Sequence, residues 1–148
     1  MVENGGFKLR VSKLANNVHV IMPPSYYRIE SCHEGENWQT VARWSQDDPW
    51  PVSDIEINVL SSTVAYYFNM VKYAVTTDGG KNWSVFDLYS QSVADNVGKG
   101  GDGRAIRVKI DFAGTGKIYL QARDEKDGPM RVIYKTTDFG VTWTLAKN

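Results

Sequence analysis

The chain of 148 residues contains one cysteine, Cys32, so no intramolecular disulfide can hold it together. Its two histidines, His19 and His33, have no spacing that suggests a zinc site. Charge of one sign is not in excess: 17 Lys and Arg balance 17 Asp and Glu. The bulk charge therefore gives no reason to expect nucleic acid or an anionic membrane as partner. No apolar run approaches the roughly 18 residues of a membrane span. No basic segment followed by an apolar stretch opens the sequence, so no secretory leader is legible. The polar start Met-Val-Glu-Asn-Gly-Gly suits a cytoplasmic protein, and equally a mature secreted domain or a lipoprotein whose leader has been removed. The expected compartment is periplasmic or secreted, with membrane anchoring expected only through such a leader.

What the chain does hold is aromatic side chains and a repeat. Five Trp and eight Tyr in so short a chain point to a β-rich core. Two octets are close copies, Thr76-Thr77-Asp78-Gly79-Gly80-Lys81-Asn82-Trp83 and Thr136-Thr137-Asp138-Phe139-Gly140-Val141-Thr142-Trp143. A third, Ser31-Cys32-His33-Glu34-Gly35-Glu36-Asn37-Trp38, keeps Ser31, Gly35 and Trp38 but has His33 at the Asp position. Self-similarity at this spacing sets the architecture before any single residue is weighed.

Each octet lies between two short β-branched or aromatic runs, which read as antiparallel strands joined by a hairpin. Upstream of each lies another hairpin: 9–14 into 18–22, 54–60 into 63–68, and 105–112 into 117–121. Ile55, Ile57 and Val59, like Ile106, Val108 and Ile110, alternate with polar residues as half-buried strands do. No window of comparable length has helical periodicity. The expected fold is a single all-β domain over 1–148 with no significant helix, built from three repeats of a four-stranded antiparallel unit. The repeats span about 7–44, 54–89 and 105–146. The connection 45–53 holds Pro49 and Pro51 and should be stiff. The connection 90–104 is Gly-rich and should be mobile.

The octets resemble the Asp-box, or BNR repeat, of sialidases and many β-propeller proteins. Asp78 and Asp138 fall on its Asp, Gly80 and Gly140 on its Gly, Trp83 and Trp143 on its Trp, and Thr76 and Thr136 on its hydroxyl position. The resemblance implies a structural box lying away from any active site. The chemistry agrees: a carboxylate can accept turn amides, and glycine admits positive φ without a Cβ penalty. A calcium loop at Asp78-Gly79-Gly80 lacks the oxygen ligands and closing Glu of such sites. Three units are fewer than the four to eight blades of a closed propeller. The alternatives are an open arc, a sandwich, or a ring closed by a second copy.

The sialidase resemblance stops at chemistry. Tyr27-Arg28-Ile29-Glu30 is similar to that family's Arg-Ile-Pro motif, but Glu30 replaces the Pro and the segment abuts the first octet. Neighbouring residues of an extended segment face opposite ways, so Cys32 and His33 do not form a catalytic pair. Gly98-Lys99-Gly100-Gly101-Asp102-Gly103 lacks phosphate-loop spacing. No catalytic residue, metal or cofactor is expected. The expected function is protein binding by a non-catalytic domain, with Asp47, Asp48 and Trp50 as contact residues. In size and architecture such a domain is similar to bacterial immunity proteins, inhibitors that neutralise an effector toxin. The alternatives are an Asp-box carbohydrate-binding module using Tyr26, Tyr27, Trp44, Trp50 and Tyr66, and an assembly factor for a membrane complex.

Overall fold

The computed structural model describes residues 2–4, 6–14, 26–33, 37–45, 55–69, 72–95, 103–122 and 131–146. The fold over these residues is all-β, as the alternating patterns require, with one short helix. Three antiparallel sheets each consist of four strands in simple sequential order, and none closes on itself. The first contains β1 (Val2–Asn4), β2 (Phe7–Leu14), β3 (Tyr26–His33) and β4 (Gln39–Ser45). The second contains β5 (Glu56–Val59), β6 (Ala65–Phe68), β7 (Lys72–Thr76) and β8 (Ser84–Asp87). The third contains β9 (Gly103–Ile110), β10 (Gly116–Ala122), β11 (Arg131–Thr136) and β12 (Thr144–Leu145). In the second and third sheets the octet begins at the last residue of the third strand and leads into the fourth, whereas in the first its residues 31–33 lie within β3 and 34–36 fall outside the described residues.

Two expectations need correction. The first sheet draws its outermost strand from Val2–Asn4, and β2 pairs directly with β3, from Phe7 opposite His33 to Leu14 opposite Tyr26. The strand expected over 18–22 lies outside the described residues. Second, the strand expected over 84–89 stops at Asp87, and Leu88–Ala94 forms a helix, α1. The Asp87 carboxylate accepts the Ser90 amide at 3.1 Å, capping the first turn in the way that favours Asp just before a helix. Leu88 is buried beneath it.

Contacts divide the chain into two compact units, Met1–Tyr66 with Thr76–Asn82, and Tyr67–Val75 with Trp83–Asn148. The first unit buries Phe7, Leu9, Ile29 and Cys32 beside Val59, Val64 and Tyr66. In it Arg10 pairs with the buried Glu30 at 3.3 Å and lays its guanidinium 3.9 Å over the Trp38 ring. A buried carboxylate needs such a partner. The second unit buries Tyr73, Val75, Val108, Ile118 and Tyr134. Phe86 meets Tyr134 edge-on at 5.3 Å, and the Tyr134 hydroxyl donates to Asp95, just past α1, at 2.6 Å. That bond lowers the Asp95 pKa, with help from Gln91, while burial and Asp95 together raise that of Tyr134.

Candidate functional site

The octets of the second and third repeats hold polar networks that are copies at the level of single bonds. The Thr76 hydroxyl donates to Asp78 Oδ1 at 2.8 Å and accepts the Gly80 amide at 2.9 Å. Asp78 then accepts the Asn82 amide on Oδ1 at 2.9 Å and the Asn82 side-chain amide on Oδ2 at 2.8 Å. In the third repeat the Thr136 hydroxyl donates to Asp138 Oδ1 at 2.7 Å and accepts the Gly140 amide at 2.9 Å. Asp138 accepts the Thr142 amide on Oδ1 at 2.9 Å and the Thr142 hydroxyl on Oδ2 at 2.6 Å. Both oxygens of each carboxylate are engaged by their own turn.

The electrostatics follow from those donors. The Asn82 backbone amide, its side chain and the Thr76 hydroxyl hold the Asp78 carboxyl down at about 2. Burial pushes Asp138 upward, but the hydroxyls of Thr136 and Thr142 and the Thr142 amide outweigh it, leaving its pKa lowered. A group so held is a permanent anion and a poor proton donor at neutral pH.

The backbone is equally repetitive. Gly79 and Gly80 have φ of 75° and 94°, and Phe139 and Gly140 have 62° and 88°. Phe139 is the one described non-glycine residue with positive φ, a conformation that costs about 1 kcal/mol in a side-chain-bearing residue. Its amide donates to the Gly114 carbonyl at 2.9 Å, as that of Gly79 does to Thr63 at 2.9 Å. These two octets are thereby bonded to the preceding turn of their own sheets.

Glycine at the fifth position has a different neighbour in each copy. A Cβ on Gly80 would meet Phe7 Cε2 at 3.2 Å and Ser31 Oγ at 3.5 Å. A Cβ on Gly140 would meet Tyr73 Cζ at 2.6 Å and its Oη at 2.7 Å, with Cε1 nearer still. The buried Tyr73 donates its hydroxyl to the Phe139 carbonyl at 2.6 Å and meets the Trp143 ring edge-on at 5.1 Å. Trp143 Nε1 is buried without a hydrogen-bond partner among the described residues. Trp83 packs against Tyr67, with centroids 6.1 Å apart.

The remaining expected site residues fall differently. Ser31 is buried and Trp38 half-buried, whereas Gly35 lies outside the described residues. Asp47, Asp48 and Trp50 also lie outside them. Of the aromatics expected to stack on a sugar, Tyr66 is only 2% exposed and points its hydroxyl at Glu56, 3.4 Å away, so it presents no platform. For Tyr26, Tyr27 and Trp44 only the strand backbone is described. Sequence reasoning missed Tyr73 and Phe139; the one signal was Phe139 standing where the sister octet has Gly79.

Among the described residues no group of three or more His, Cys, Asp or Glu side chains is placed to hold a metal ion, and no helix is long and apolar enough to cross a membrane. No protein-family model, curated protein or solved structure matches the chain.

Proposed function

We propose that the chain is a non-catalytic protein-binding domain of the Asp-box kind, an inhibitor or immunity protein that occupies a site on an effector toxin or secreted enzyme. The observation that carries this reading is the state of its most conspicuous carboxylates. Asp78 and Asp138 spend both oxygens on their own turns, so they serve as corner braces and are not poised to exchange protons with a substrate. Such braced corners support rigid loops, and rigid loops lose less entropy on binding. The segment Asp47-Asp48-Pro49-Trp50-Pro51, which lies outside the described residues, holds two carboxylates, a large aromatic and two prolines in sequence, a composition suited to an interface anchor facing a basic site. The carbohydrate alternative is weakened by the burial of Tyr66.

The test is capture of a stoichiometric protein partner from the native host, followed by an assay of that partner's own activity. Wild type should bind and inhibit it, while Asp47→Ala/Asp48→Ala/Trp50→Ala should do neither. Recovery of no stoichiometric partner, or of one whose activity is unaffected, contradicts the reading.

A further inference from the structure

The end of the third sheet that bears the β9–β10 and β11–β12 turns carries a combination of side chains that its own folding does not require. On β10, Lys117 stands opposite Lys109 of β9 and opposite Lys135 of β11. Neighbouring strands are about 4.8 Å apart, so the three stems form a row roughly 10 Å long on one face of the sheet. All three are exposed, and the exposed Arg107, two residues before Lys109, shares that face. The opposite face is the buried one, with Val108, Ile118 and Tyr134. Among the described residues these cations have no ion-pair partner. The described carboxylates of this unit, Asp87, Asp95, Asp111 and Asp138, are each hydrogen-bonded within their own turn or helix end. Like charges directly opposite one another weaken a sheet, so the row has a cost that its buried face does not explain.

In front of this row stand two apolar tips. Phe112, in the turn between β9 and β10, is 78% exposed, and Val141, in the octet turn between β11 and β12, is 42% exposed. Both turns lie at the same end of the meander and are joined by the Phe139 amide and the Gly114 carbonyl. One rung of the sheet, Ile110–Gly116–Thr136, separates them from the lysines. The second sheet shows that neither tip is demanded by the turn. Its Leu60 amide donates to Val64 as Asp111 does to Thr115, and Gly79 to Thr63 as Phe139 does to Gly114. In that equivalence Ser61 stands where the third repeat has Phe112, and Lys81 stands where it has Val141.

We propose that this end of the third sheet docks on an anionic lipid surface. Phe112 and Val141 enter the headgroup–acyl boundary, and Lys109, Lys117 and Lys135 reach the lipid phosphates behind them. The layering fits a bilayer edge, apolar first and cationic one rung behind, and long lysine stems extend readily toward headgroups. An acidic protein face is the less fitting occupant, because lysine is depleted at protein interfaces. The chain carries no net charge, so the attraction is local and acts within a Debye length of about 10 Å. The proposal does not depend on the inhibitor reading.

Co-sedimentation with vesicles tests it, using phosphatidylcholine alone and phosphatidylcholine mixed with phosphatidylglycerol. The wild-type chain should bind only the mixed vesicles and release them as salt is raised. Lys109→Gln/Lys117→Gln/Lys135→Gln should lose on the order of a hundredfold in affinity. Phe112→Ser, which installs the second repeat's side chain, should lose roughly tenfold. A control, Lys72→Gln/Lys81→Gln/Arg131→Gln, removes three exposed cations elsewhere and should bind as wild type does. Circular dichroism should show the variants folded, since every substituted side chain is exposed; if one unfolds, the salt dependence of wild type on the same vesicles still decides. Binding to neutral vesicles, absence of binding to the mixed ones, or equal loss in the control overturns the proposal. So does tighter binding of an oligoglutamate peptide through the same three lysines, which would assign the face to an acidic protein.

Discussion

Asp78 shows how a single side chain holds a turn. Its donors lower the carboxyl from an ordinary 3.8 to about 2, so the folded state prefers the ionised form more than the unfolded chain does. A folded pKa below the unfolded one means that the stabilisation is complete above pH 4 and is lost as pH falls through 3.8 toward 2. Acid unfolding of wild type should therefore steepen in that window. Asp78→Asn should be less stable at neutral pH and show a flatter profile between pH 4 and 2. Identical acid profiles for the two proteins would remove the carboxylate from the account. The two octet glycines make a second residue-scale prediction. Gly80→Ala meets only the ring edge of Phe7 and a hydroxyl, so it should cost about 1 kcal/mol for the positive φ. Gly140→Ala drives its Cβ into the buried ring of Tyr73, and overpacking adds to the same backbone term for about 3 kcal/mol in total. Urea midpoints compare them directly; equal costs would mean that Tyr73 yields.

At the scale of elements, strands were legible wherever one face is buried. The alternation around Val108 and Ile110 and around Ile57 and Val59 located β9 and β5 to within a few residues. Two elements were not legible, for different reasons. β1 is three residues long and earns its place by pairing with Lys8 and Leu9, which composition does not announce. The α1 segment begins Leu88-Tyr89, residues that prolong a strand pattern as readily as they start a helix. The discriminating signal was Asp87 in the capping position, ahead of seven residues free of Gly and Pro. The helix end is tied to β11 by the bond from Tyr134 to Asp95. In Tyr134→Phe the Asp95 carboxyl loses its main donor, and its pKa should rise back toward 3.8. A carbon-detected titration of Asp95 reads this; an unmoved pKa would mean that Gln91 alone sets it.

On the scale of the whole molecule, three sheets share one sequential four-stranded order and differ in what surrounds their octets. The octets of the second and third repeats share a complete bonding scheme, and the sequence announced them because Thr, Asp and Gly stand at the same offsets in both. What surrounds each octet was hidden. Phe7 with Ser31, and Tyr73, are the neighbours of Gly80 and Gly140, and they come from strands far away in sequence. Pattern reading sees spacing, whereas these contacts depend on how strands stack. The strands also diverge in exposure: every residue of β6 is buried, while both residues of β12 are exposed. The candidate contact segment with Asp47, Asp48 and Trp50 rests on composition alone, its prolines and its acidic pair, and lies outside the described residues.

The octets of the second and third repeats are closed, self-satisfied corners. Amide hydrogen exchange at Gly80, Asn82, Gly140 and Thr142 tests this most directly, because these four amides donate to side chains of their own turn. Their protection should be comparable to that of β7 and β11, and should be lost at Gly80 in Thr76→Val and at Gly140 in Thr136→Val. Exchange of all four at open-loop rates in the wild-type chain would contradict this.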